Sequence, residues 1–411
     1  MRLSQSFVVL AAVAAPFIPT SLAFGAAGHE IVATIAQIHL HPSVLPVICD
    51  LLDVVPSDNS EATLRRQCHL ASVATWADRD KYKMRWSAAL HYVGAVDDHP
   101  SARCLFPGEG GWAGSKGINV LDGIKNVTSI LGQWSGASQE ESTRLTAHIQ
   151  GGTQTKSRFL SPRPAGPREE EAFKFLVHFL GDMHQPLHLT GRDRGGNNQK
   201  VVFENRQTNL HSAWDGAILT RLIRTVDRKY SHPLPDQGDL PIPSAQIEAA
   251  LRHAIYDPLI RRVMWEGVES KWIDEIDDWF ACPIPAPIPE PEQRQSLLSL
   301  FSSDPFAFPK ALVSTISSAL REKVEISPDG PLICPYAWSV PLHQLNCKYV
   351  WPAVLNFTSE VAGRPPVHKY PVLDTPEYIG ALDKDLVMEK LVAQGGLRLA
   401  GVLNWLFADE A

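Results

Sequence analysis

The chain has no surplus of positive charge. Its 38 Lys and Arg stand against 45 Asp and Glu, giving a net charge of −7 with histidines neutral. That argues against a basic surface built to track phosphates, so any handling of nucleic acid must take its positive field from bound cations. Beyond the first 18 residues there is no apolar run long enough to cross a bilayer, so no membrane span is expected. Internal repeats are also missing, and strand-like alternation is scarce. With 44% hydrophobic and 20% charged residues, the composition still provides an ample core. The fold class read from this is mainly α, a single helical domain with a short β-hairpin and decorating loops.

At the amino terminus Arg2 precedes an apolar run from Phe7 to Ile18, and Ser21-Leu22-Ala23 forms a small-x-small cleavage site. Residues 1–23 are therefore expected to be a signal peptide, residues 24–411 the mature domain, and Phe24 its first residue. Six cysteines fit an oxidising compartment, with their pairing open. Asn126-Val127-Thr128 and Asn356-Phe357-Thr358 are glycosylation acceptors consistent with a secreted, extracellular product. Turn formers without periodicity mark a loop insertion at about 151–168. A polyproline stretch, Pro283 to Pro291, opens a second at about 283–333.

Helical periodicity is expected over Pro42–Leu52, Leu70–Lys81, Val120–Trp134, Gln139–Ile149 and Leu386–Leu406. Leu90-His91-Tyr92-Val93 reads as a short extended run, and Lys200–Phe203 is the best strand candidate. The most informative stretch lies between Glu169 and His188. Phe173, Leu176, Val177 and Leu180 recur at helical spacing, which predicts a buried helix to about Met183. On it His178 and Asp182 share one face, and Pro186 ends the helix so that His188 turns back towards that face. His184 lies in the same segment but out of phase with this pair. A second His-x3-Asp pair follows at His211 and Asp215. Imidazole nitrogens with carboxylate oxygens suit zinc, and two such pairs suit a multi-zinc cluster.

These runs occur in a recognisable order: Phe24-Gly-Ala-Ala-Gly-His29, Ala74-Thr-Trp-Ala-Asp78, Leu90-His91-Tyr-Val, His178 to His188, and Asn209-Leu-His-Ser-Ala-Trp-Asp215. In that order they resemble the secreted, zinc-dependent, single-strand-specific nucleases of the S1/P1 type, over Phe24 to about Leu222 and again, more weakly, near Trp338–Cys347 and Gly395–Ala400. The resemblance implies a helical fold similar to zinc phospholipase C and a site of three zinc ions. One ion would be held by Asp78, His91, His178 and Asp182. A second would take His29, the amino nitrogen and carbonyl oxygen of Phe24, and Asp182 as a bridge. The third would take His188, His211 and Asp215. The implied activity is endonucleolytic hydrolysis of single-stranded DNA and RNA to 5′-phosphate products, with 3′-nucleotidase activity on 3′-mononucleotides, by a monomer. Asp78 would orient the attacking water, Lys81 would neutralise a phosphate oxygen, and Tyr92 would stack on a base. Cys104 and Cys347 sit where the family closes a long-range disulfide. Cys49 with Cys68, and then Cys282 with Cys334, are further candidates, left open.

Two positions depart from the family pattern. Phe24 stands where Trp is usual, and because ligation would use main-chain atoms, it requires only that residues 1–23 be removed. Gly94 replaces an Asp that hydrogen-bonds the base, so an altered base preference is expected. Two rival functions remain: a zinc-dependent phospholipase C, and a non-catalytic secreted protein that binds zinc or nucleic acid.

Overall fold

The computed structural model describes residues 24–107, 110–137, 164–235, 242–282, 329–330, 332–352 and 369–408. Its elements run α1 (Ala26–Ile38), α2 (Val44–Leu51), α3 (Glu61–Gln67), α4 (Trp76–Asp80), α5 (Val120–Ser135) and α6 (Pro167–Met183). A hairpin of β1 (Lys200–Phe203) and β2 (Arg206–Asn209) follows. Then come α7 (Leu210–Ser212), a wider π turn over Ala213–Ala217, and α8 (Ile218–Thr225). The chain ends with α9 (Ser244–Ala250), α10 (Asp257–Arg262), α11 (Ile276–Phe280), α12 (Pro335–Leu345), α13 (Ile379–Asp385) and α14 (Val387–Phe407). Among the described residues the fold is all-α apart from the two-stranded antiparallel hairpin.

The core is built on α1, α6 and α14. All of α14 except Lys390 is buried, the signature of a helix covered on every side. It lies along α1, and Gly395-Gly396 makes the close approach possible: a Cβ on Gly396 would sit 2.4 Å from Ile35 Cγ2. Helix α6 packs on α14 with one face and on α5 with another, burying Phe173, Leu176, Val177 and Leu180. Each such side chain stabilises the fold by about 1.5–3 kcal/mol. Pro167 occupies the first turn of α6, where its missing N–H costs nothing, and Glu169 reaches back to the Gly166 N–H at 3.0 Å. The helix therefore starts two residues before Glu169 and stops at Met183 as the sequence implies. Asn119 caps α5 through the Leu121 and Asp122 N–H groups, and Gly136, at φ 78°, closes it.

The hairpin register pairs Lys200 with Asn209 and Phe203 with Arg206. Its two loop residues, Glu204 and Asn205, both take left-handed φ values of 47° and 59°, as a tight hairpin requires. Disulfides join Cys49 to Cys68, Cys104 to Cys347 and Cys282 to Cys334.

Two local expectations are corrected. Leu70–Lys81 is not one helix: a short 3-10 turn over Leu70–Ser72 is followed by a break and α4. Gln37 Oε1 takes the Leu70 N–H and the His69 ring takes the Ala71 N–H, so side chains substitute for helix continuation there. Leu90–Val93 is not extended throughout, because a 3-10 helix spans Arg85–His91 and only from Tyr92 does the chain extend. The signal peptide 1–23, the helix expected over 139–149, most of both candidate insertions and Asn356 lie outside the described residues. Leu332 and Ile333, at the end of the second candidate insertion, are buried in the core.

Candidate metal centre and cleft

Helix α6 presents His178 and Asp182 one turn apart, both with no solvent exposure. The residue between them in space is a glycine for a reason: a Cβ on Gly181 would lie 2.4 Å from His29 Nδ1. Without one, His29 of α1 stacks flat on His178, ring centroids 4.0 Å apart and planes at 11°. His91, at the end of the 3-10 helix, closes from the other side with Nδ1 2.9 Å from Asp182 Oδ2. Around Asp182 the remaining distances are 3.4 Å to His29 Nε2, 3.4 Å to His178 Nε2 and 3.6 Å to His188 Nδ1. Asp78, from α4, brings its carboxylate to 3.8 Å from His178 Nε2.

The second pair, His211 and Asp215, spans the change from α7 to the π turn, with Nε2 3.0 Å from Oδ2. His188 stacks on His211 at 5.1 Å. Phe24 is fully buried beside this wall. The Gly25 N–H donates to the Asp215 carbonyl at 2.6 Å, and a Cβ on Gly28 would lie 2.9 Å from the Phe24 side chain. The small residues of Phe24-Gly-Ala-Ala-Gly-His29 thus let the chain fold back against its own first helix.

The hydrogen-bond pattern decides what the centre can hold. His178 Nδ1 lies 2.7 Å from the Ala74 carbonyl, His188 Nδ1 2.6 Å from the His91 carbonyl and His211 Nδ1 2.6 Å from the Gly195 carbonyl. A carbonyl only accepts, so each Nδ1 carries the hydrogen and each Nε2 presents a lone pair. Among the described residues, buried His91 Nε2, His178 Nε2, His188 Nε2, both His29 nitrogens and Asp182 Oδ1 have no hydrogen-bond partner. Unsatisfied lone pairs buried together are costly unless a cation completes them. Three groups have the spacing of metal ligands, with donor atoms within 4.8 Å of one another: His29, Asp78 and His178; His91, His178 and Asp182; and His188, His211 and Asp215. The residues fit divalent metal, and their N and O donors fit zinc.

The same crowding governs the charges. Burial alone would raise the Asp182 carboxyl, but His178, then His29 and His91, hold it well below the usual carboxylate range. Burial, with Asp182 adding its charge, pushes Asp78 up to about 6. Burial forces His178 far below the usual imidazole value and lowers His188, overcoming in each the pull of Asp182. His91 and His211 go up despite burial, through Asp182 and Asp215 respectively. His184 belongs to the scaffold instead. Its Nδ1 faces the Leu180 carbonyl at 2.6 Å and its Nε2 accepts from Arg398 at 2.8 Å, out of phase with the pair as the sequence indicates.

Outside the buried centre lies a cleft of about 500 Å³. Asp78, Lys81, His91, Tyr92, His188 and His211 all line it. Tyr92 is 55% exposed, so it is a cleft-wall aromatic and not a core one. Gly94 is closed off: a Cβ there would lie 2.8 Å from Gly191 N, which leaves no room for a carboxylate at that position.

A sequence model of the S1/P1 nuclease family matches residues 24–277. The chain belongs to that family. It is therefore a nuclease, a hydrolase of phosphodiester bonds. Endonuclease 4 of Arabidopsis thaliana is 29% identical over 401 residues, covering 95% of this chain and 91% of that protein. Endonuclease 2 of the same plant is 26% identical over 269 residues, covering 64% and 70% respectively. Nuclease P1 of Penicillium citrinum is 31% identical over 204 residues, covering 49% and 60%.

The nuclease also has site residues that motif reading passed over. Gln185 Nε2 donates to Asp215 Oδ1 at 2.5 Å, fixing the carboxylate that faces His211. Arg85 and Arg194 also line the cleft, bringing two guanidinium groups to its rim in a chain of net negative charge. Arg85 had one available signal, the interleaved run Lys81-Tyr-Lys-Met-Arg-Trp86. Arg194 had none, because its placement depends on four successive left-handed residues, Asp193 to Gly196.

Proposed function

We propose that this nuclease is a secreted, zinc-dependent endonuclease that hydrolyses single-stranded DNA and RNA to 5′-phosphate products and removes phosphate from 3′-mononucleotides. The observation that carries this reading is the set of unpartnered, tautomer-fixed imidazole nitrogens around the buried Asp182. Asp78, His91, His178 and Asp182 would hold one zinc; His29, Phe24 and Asp182 a second; His188, His211 and Asp215 a third. Zinc in such sites lowers the pKa of water and polarises phosphate oxygens. Asp78, at the cleft edge of the centre, orients the attacking water by accepting its hydrogen bond. Lys81, three residues along, meets the charge that builds on a phosphate oxygen. Tyr92 offers its π face to a base, a contact every base satisfies, which suits a nuclease with little sequence demand. Without a carboxylate at Gly94, the base makes no hydrogen bond there. Removal of residues 1–23 frees the Phe24 amino group that the second site needs. Three disulfides fit an oxidising compartment, and no helix among the described residues is long and apolar enough to cross a membrane.

The test is made on mature protein beginning at Phe24. Zinc per chain is measured by elemental analysis, and cleavage of single-stranded DNA, RNA, a 3′-mononucleotide and lecithin is followed with and without chelator. The expected result is about three zinc ions and chelator-sensitive cleavage of single strands. Lipid turnover without nuclease activity, or fewer than two ions, would overturn the proposal.

A further inference from the structure

Two stretches of chain run side by side in the cleft wall. The Val93 N–H donates to the His188 carbonyl at 2.8 Å, and one residue later Gly94 packs on Gly191, where a Cβ would lie 2.8 Å from Gly191 N. The wall just beyond Tyr92 therefore has no side chain at that point to meet a base edge. The stretch that takes up this space goes on to present a cation. From Gly191 the chain turns tightly, the Arg194 N–H donating to the Gly191 carbonyl at 3.1 Å and the Gly196 N–H to the Arg192 carbonyl at 2.9 Å.

Within this turn Arg194 takes φ 56°, a left-handed conformation that suits glycine and that arginine adopts only at a conformational cost. It is locked there from both sides. The Arg194 carbonyl accepts from the Asn197 N–H at 3.3 Å and from Asn197 Nδ2 at 2.9 Å. The next carbonyl, that of Gly195, is the one that fixes His211 Nδ1 at 2.6 Å. The acidic neighbour, Asp193, lies 3.5 Å from Arg192 Nε. Arg194 itself is exposed and lines the cleft. A guanidinium held on strained backbone beside a buried metal-ligand wall is placed for a ligand, and its planar fork matches the oxygens of a phosphate.

We propose that Arg194 binds the 5′-phosphate of the nucleotide whose 3′-phosphate lies at the metal centre. The cleft then prefers nucleoside 3′,5′-bisphosphates, and the equivalent unit within a strand, to nucleoside 3′-monophosphates. This subsite rests on the 3′-nucleotidase reading above and deepens it. A nucleotide that stacks on Tyr92 with its 3′-phosphate at the centre carries its other phosphate at the 5′ end. Tyr92 and Arg194 share one side of the centre, because Tyr92–Gly94 runs along His188–Gly191 and Arg194 lies one turn beyond Gly191. A phosphate contact positions the strand whatever base it carries, as stacking on Tyr92 does.

The experiment uses metal-loaded mature protein beginning at Phe24. Release of the 3′-phosphate is followed from adenosine 3′-monophosphate and from adenosine 3′,5′-bisphosphate, and the ratio of the two KM values is read. Calorimetry with the 3′-phosphorothioate of each compound reads the same ratio in binding, without turnover. The expected result is a KM about 10-fold lower for the bisphosphate, with the gap narrowing as salt is raised. Arg194→Gly suits the left-handed backbone and adds no strain, and it should bring the ratio to about one. Arg194→Lys, which keeps the charge and loses the fork, should leave a ratio of about 3. Equal KM values in the parent overturn the proposal, as does a ratio that survives Arg194→Gly. Phosphate released from both compounds without preference overturns the subsite and leaves the 3′-nucleotidase reading standing. A binding preference lost in Arg194→Gly, with no phosphate released from either compound, does the reverse.

Discussion

The two His-x3-Asp pairs have the same spacing and different circumstances. His178 and Asp182 sit in a regular helix at the centre of the molecule, with no exposure. Asp182 has four imidazoles within 3.6 Å, and its pair is braced by α1, α4 and the 3-10 helix. His211 and Asp215 straddle a π turn at the cleft edge, with His188 and Gln185 as their neighbours. Spacing alone says only that two side chains share a face. What each pair does depends on how many other elements bring donors to it.

The comparison gives an order of effects. Asp182→Ala should cost most, because two of the proposed sites share its carboxylate: activity on single strands should fall by about 10,000-fold and bound metal should drop by two ions. Elemental analysis beside a nuclease assay would check this. Asp215→Asn should cost about 100-fold and only one ion, since His29, Asp78, His91, His178 and Asp182 are untouched. Equal metal loss in the two variants would break the distinction between the pairs. Gln185→Leu should cost about 10-fold with the metal count unchanged, because it removes only the hydrogen bond that orients Asp215.

The smallest effect on activity concerns the scaffold, and it is needed to interpret any acid inactivation of the pairs. His39 is buried, and its ring nitrogens have no hydrogen-bond partner among the described residues. Burial lowers its pKa from 6.5 to about 4. The unfolded chain takes up this proton near 6.5 and the folded chain only near 4. The contribution is therefore fully present above 6.5 and is lost as pH falls towards 4, amounting to about 3 kcal/mol. His39→Leu should flatten the acid limb of a denaturant-melt series by that amount and leave activity at neutral pH unchanged. An unaltered acid limb would assign the sensitivity to the metal centre.

The reach of the sequence follows the range of the interactions involved. Helix α6 was legible because its apolar period and Pro186 are local signals, although its start at Pro167 lay inside the candidate insertion. The second pair was legible too, but not the π turn beneath it, which has no local signature. The break within Leu70–Lys81 depends on Gln37, more than thirty residues away, supplying the bond that interrupts the helix. Gly94 could be read as a missing carboxylate, yet its packing against Gly191 is a contact between distant segments. Gln185 lay inside the recognised run, but its partner became visible only once Asp215 was placed in space.

The close packing of α1 against α14 has a consequence for the order of synthesis. Helix α1, which carries His29, leaves the ribosome long before α14 does. A Cβ on Gly395 of α14 would lie 3.2 Å from Val32 and 3.3 Å from His184, and Arg398 anchors the His184 ring. The support under the candidate metal centre is therefore complete only once α14 has been made. A chain cut short before α14 would lack the packing that seats His184 and α1 beneath the candidate metal centre.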